Sequence, residues 1–155
     1  DPGKVVFSLA TDATAKYGPL NLRCGKANDD DKLVRATERY VRGLRSLKPG
    51  HPERVVFAAV VGVPPAPVAA GKTIDELLAL PEMKFAEDAL KPGFPRTTCD
   101  LMYDGRLNEA YPGRRFLQVA KGLGAQSVVE SICAETYGPV LDRMIDKIAP
   151  QLGGS

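Results

Sequence analysis

The residues of this chain with side chains able to do chemistry are few and widely spaced. Cysteine occurs three times, at Cys24, Cys99 and Cys133, with no CxxC pair, and the sole histidine is His51. A closed zinc site needs four such ligands, so these four residues, far apart and without motif spacing, make a poor zinc framework. An odd number of cysteines suits an exported chain with one disulfide and one thiol, or with a thiol paired outside this sequence. The alternative is a cytosolic core with three buried thiols. Sequence alone leaves all three pairings open. A cysteine nucleophile would require His51 as its base, but Pro49-Gly50-His51-Pro52 reads as an exposed turn. The triplet Asp29-Asp30-Asp31 lacks the later ligands and turn glycine of a calcium loop. It is expected instead to cap a helix, where carboxylates meet free backbone N–H groups. Neither Gly-x-Gly-x-x-Gly nor a P-loop occurs, which removes the usual phosphate cradles.

The elements that must position these residues belong to one domain. At 155 residues, with 44% hydrophobic and 26% charged residues and a net charge of +2, the chain can build one core. Acidic and basic residues are interleaved, so no basic stripe invites nucleic acid. No run of 18 apolar residues is present to span a membrane, and the start lacks a signal-peptide pattern. Because it begins at Asp1-Pro2 without an initiator methionine, a processed product or a portion of a longer chain is expected.

Val5 to Ala10 is a short apolar run that predicts a strand, followed by a loop over Ala13 to Asn28. Leu33, Val34, Thr37, Tyr40, Val41, Leu44 and Leu47 trace one helical face, ended by Lys48-Pro49-Gly50. Val55 to Val63 is apolar throughout, the pattern of a parallel strand covered on both faces, with the preceding helix as crossover. An insertion over 64–112 is expected to hold a capping-box helix beginning at Thr73-Ile74-Asp75-Glu76 and another turn or two between Met83 and Leu90. The rest should be irregular. A short helix from Arg114 to Gly122, a strand from Ser127 to Ile132 and an amphipathic helix over Pro139 to Ile148 close the chain. Residues 151–155 read as a flexible tail. The reading is α/β with a mainly parallel sheet and three clear strands; since sheets usually hold more, strands either hide in the insertion or lie on sequence outside this chain.

Order and spacing of these residues carry a resemblance. Tyr40 to Lys48 followed by Arg54 to Pro64, then Tyr111 to Leu117, Gly124, Ser131-Ile132-Cys133 and the helix from Tyr137 to Ile148, resemble the C-terminal half of von Willebrand factor A-like domains of bacterial exported lipoproteins. The resemblance implies a three-layer, Rossmann-like doubly wound sheet, complete or partial, whose strand ends hold a cation-dependent adhesion site. It implies Mg2+, Mn2+ or Ca2+ as cofactor, with Thr11 and Asp12 at the position of the family's Thr-Asp metal pair. The family's Asp-x-Ser-x-Ser motif has no counterpart in this sequence. It further implies a non-catalytic adhesion or protein-binding module, exported to the periplasm, outer membrane or cell surface. Its partner would be another protein or the N-terminal portion of the same domain. Among exported relatives a disulfide often pins an insertion, which makes Cys99 with Cys133 one candidate bridge and Cys24 with Cys99 its competitor. The alternative reading is a cytoplasmic α/β enzyme or nucleotide-binding domain.

Overall fold

The computed structural model describes residues 36–152, with the side chain of Leu152 excepted. The expected strand at Val5 to Ala10, the loop after it, Thr11, Asp12, Cys24 and the acidic triplet lie outside the described residues. Helix α1 spans Thr37–Arg45, with Ala36 at its N-cap and no side-chain cap. Strand β1 is Phe57–Val61; helices α2 (Pro65–Ala69) and α3 (Ile74–Ala79) follow. Strands β2 (Cys99–Tyr103) and β3 (Arg106–Ala110) precede helix α4 (Arg114–Leu123), strand β4 (Ser127–Ser131) and helix α5 (Gly138–Leu152).

β1 and β4 pair in parallel, Phe57 opposite Ser127 and Val61 opposite Ser131. Alternate residues point to opposite faces. On one face Val61 and Val129 pack with Val63, Leu77, Met83 and Leu117, while Phe57 packs against Val41, Val119 and Leu123. This face is covered by α1, α3 and α4. Glu130 points to the other face, where α5 brings Arg143 to it. Helices thus lie on both sides of a small parallel sheet, a mixed α/β arrangement, and this explains why β1 is apolar on successive residues. Helix α4 leads directly into β4, in the place where the sequence predicts a short helix before a strand; the expected crossover through the helix before β1 involves the strand at Val5 to Ala10, outside the described residues.

The insertion is more ordered than expected. Thr73 and Glu76 form the anticipated capping box: the Glu76 amide donates to Thr73 Oγ1 at 3.3 Å, and the Thr73 amide donates to Glu76 at 2.8 Å. These bonds hold the Glu76 carboxyl below the usual glutamate range, the Thr73 hydroxyl contributing most. The helical turn expected from Met83 to Leu90 is instead a 3-10 turn at Pro81–Met83. Pro65-Ala66-Pro67, read as a break, starts α2, because proline is tolerated in a helix's first turn. The stretch expected to be irregular contains the antiparallel hairpin β2–β3, Cys99 opposite Ala110 and Tyr103 opposite Arg106. Its turn residues Asp104 and Gly105 have φ of 50° and 69°, the left-handed pair of a type I′ turn.

Close approaches knit the insertion onto the framework. A Cβ on Gly62 would lie 2.0 Å from the Tyr111 carbonyl oxygen, so glycine is needed where the chain returns to β1. Arg114 donates to the carbonyl oxygens of Leu78 and Met83 at 3.1 and 3.0 Å, and Lys121 pairs with Asp75 at 2.6 Å. Leu117 is fully buried at the centre of these contacts. Replacing it with alanine should cost about 2–5 kcal/mol of stability by urea unfolding, whereas Leu47→Ala, at an exposed position, should change it by less than about 0.5 kcal/mol.

Candidate interaction site at the strand ends

The C-terminal ends of β1 and β4 lie side by side, and the backbone beyond them is tightly held. The Ile132 amide donates to the Val61 carbonyl at 2.9 Å. Buried Ser131 donates its hydroxyl to the Val63 carbonyl at 2.5 Å and accepts from the Cys133 amide at 3.1 Å. Two residues past the strand, Cys133 is bonded to Cys99 at the start of β2, with Cα atoms 6.2 Å apart. This link fastens the hairpin to the strand ends. A two-stranded hairpin is marginal by itself, and most residues of this one are exposed. Lys91 adds a second tie through its ion pair with Glu109 of β3, a hydrogen bond that holds the lysine above its usual range.

Between the hairpin and the β4–α5 connection lies a largely apolar cleft of about 370 Å³. Leu101, Tyr103, Ala110, Ile132 and Tyr137 form its walls. Leu101, Tyr103 and Ala110 share one hairpin face by the strand period, while the Tyr137 hydroxyl donates to the Ile132 carbonyl at 2.7 Å, fixing the opposite wall. Tyr103 is 73% exposed, and Ile132 and Tyr137 are each 44% exposed. Apolar and aromatic side chains held at a surface in this way are suited to burying a partner's side chains.

Behind the cleft, Glu130 is almost fully buried and Arg143 of α5 grips both of its carboxylate oxygens through Nε and a terminal nitrogen. The hydrogen bond to Glu130 raises Arg143 above the usual arginine range. This pair locks α5 to β4 and so places Tyr137 at the helix's leading end.

Of the residues singled out in sequence, Cys99 and Cys133 come together as a disulfide. Thr11, Asp12 and Cys24 lie outside the described residues. His51 sits in an exposed turn, its Nδ1 2.9 Å from Glu53 Oε1. The Glu53 carboxyl is held below its usual range, first by its own backbone amide and then by His51. With both described cysteines in the disulfide, His51 has none of the described thiols to activate. Among the described residues no group of three or more His, Cys, Asp or Glu side chains could hold a metal, and no helix is long and apolar enough to cross a membrane. Sequence reasoning missed the cleft residues Leu101, Tyr103, Ile132 and Tyr137. The Asp104-Gly105 pair was the available signal, because it announces a hairpin even where flanking hydrophobic alternation is weak. No family model, curated protein or solved structure matches this chain.

Two outcomes follow from this clamp. Reduction of the disulfide, or its replacement in a Cys99→Ala, Cys133→Ala double variant, should lower stability by about 3–4 kcal/mol, by the loop entropy of a 34-residue separation; amide exchange should rise first in β2 and β3. Arg143→Ala leaves the Glu130 carboxylate buried without its partner. It should cost about 2–4 kcal/mol in denaturant unfolding, more than Glu130→Gln.

Proposed function

We propose that this chain is a non-catalytic protein-interaction module of the von Willebrand factor A-like kind, acting in an exported, cell-surface or periplasmic protein. The observation that carries this reading is the apolar Leu101, Tyr103, Ile132 and Tyr137 cleft at the ends of parallel strands, fastened by a disulfide. Open α/β sheets bind their ligands at this edge, and disulfides persist in oxidising compartments. In this reading Thr11 and Asp12 supply part of a Mg2+, Mn2+ or Ca2+ site that assists binding, with any remaining ligands coming from the partner protein or from the N-terminal portion of the domain.

Peptides selected from a display library against the intact chain should compete for the cleft, and Tyr103→Ala should weaken them by roughly tenfold or more, as expected for an aromatic hot spot. Failure of every selection, or binders indifferent to Tyr103→Ala and to every other surface substitution, would sink the module. Cation assistance has its own readout. Thermal unfolding with Mg2+, Mn2+ or Ca2+ should show a higher Tm for the native sequence that Asp12→Ala abolishes; no shift with any of the three removes the cation from the proposal. Thiol counting on freshly purified, unreduced protein should find one thiol, Cys24, and three would contradict export.

A further inference from the structure

On the side of the hairpin away from β3 runs a second groove, of about 800 Å³. One wall is β2 and the other is built from α2 and the start of α5, through Pro65, Ala66, Ala69, Pro139 and Val140. Four consecutive β2 residues, Asp100 to Tyr103, border it, and no β3 residue does. Successive strand side chains point to opposite faces, so a space bordered by all four lies along the edge of the strand.

That edge carries unused hydrogen-bonding groups. The two-residue turn makes Tyr103 and Arg106 a hydrogen-bonded pair, and alternation makes Leu101 and Asn108 the next. The N–H and C=O of Asp100 and Met102 therefore point away from β3, and β2 has no second strand partner among the described residues. An open row of donors and acceptors beside an apolar wall is the arrangement to which an extended peptide adds as a further strand.

Charge selects the occupant. The charged groups on the groove are Asp100, Glu135 and Arg143. Arg143 is already engaged on both oxygens of Glu130, which leaves Asp100 and Glu135, both exposed, without ion-pair partners among the described residues. The groove's uncompensated charge is thus negative.

We propose that this groove takes an extended segment of a partner protein, added as a strand along β2 and carrying lysine or arginine side chains that meet Asp100 and Glu135. This deepens the module reading and rests on it. The backbone ladder supplies affinity for an extended chain, and the two carboxylates set the preference for basic over acidic sequences.

The test uses the intact, disulfide-bonded chain and three capped synthetic ten-residue peptides: alternating valine and lysine, the same with glutamate for lysine, and the lysine peptide methylated on alternate backbone nitrogens. In fluorescence polarisation at low salt the lysine peptide should bind at least tenfold more tightly than the glutamate peptide. Methylation in the register facing β2 should weaken it by a similar factor. Amide resonances of Asp100 and Met102 should move on titration. Asp100→Asn with Glu135→Gln should reduce the lysine preference threefold or more. Met102→Pro, which removes an outward N–H while sparing the bonds to β3, should abolish binding while the disulfide and far-ultraviolet spectrum stay native.

Equal binding of the lysine and glutamate peptides, indifference to Met102→Pro, or no binding by the lysine peptide would overturn the proposal. A lysine peptide that perturbs Ile132 and Tyr137 of the first cleft but not the amides of Asp100 and Met102 would overturn it too, while leaving the interaction module standing. Failure of both the designed peptides and the library would end both.

Discussion

A single covalent constraint, the bond between Cys99 and Cys133, decides what surface this chain presents at its strand ends. Without it the β2–β3 hairpin would be a pair of short, mostly exposed strands on a long insertion, with little buried area to hold it. With it, the hairpin stands against the connection between β4 and α5, and two grooves exist on either side of β2. Cys133 lines both. The entropy of ordering the hairpin is offset by a crosslink outside the main core, which leaves the hairpin's side chains free of packing duties.

The constraint works because its anchor is rigid. Ser131 ties the end of β4 to the Val63 carbonyl and to the Cys133 amide, and the Glu130–Arg143 pair holds α5 to the opposite face of the same strand. A charge pair with one partner buried is a weak source of net stability, since desolvating the carboxylate offsets most of the attraction. Its geometric effect is clearer: a bidentate grip fixes the rotation of α5, and with it the position of Tyr137 and Val140 along the grooves. Core packing around Leu117 and Met83 performs the corresponding task for the insertion, through Arg114 and its two carbonyl acceptors.

Regular elements on the apolar framework were legible in the sequence. The uninterrupted apolar run around Ala59 and the spacing of Phe116, Leu117, Val119 and Ala120 identified β1 and α4, and Thr73 with Glu76 identified the start of α3. Each rests on a local signal, side-chain period or cap chemistry, that survives without knowledge of neighbours. The hairpin was not legible in the same way. Its residues are exposed on both faces, so Cys99 to Tyr103 and Arg106 to Ala110 show little of the alternation by which half-buried strands are recognised.

By itself, then, the sequence determined the class of the chain, an α/β domain with parallel strands flanked by helices, because hydrophobic period and length are local properties of the chain. It also named Cys99 and Cys133 as candidates for a bridge, within a choice that composition left open. Tertiary structure alone decided which cysteines meet, that Leu101, Tyr103, Ile132 and Tyr137 converge on one cleft, and that β2 keeps an open edge facing Asp100 and Glu135. These residues lie in separate segments, and their proximity depends on how the insertion folds back over the strand ends. No local pattern encodes that return; it follows from the packing at Gly62 and Leu117 and from the crosslink that holds it.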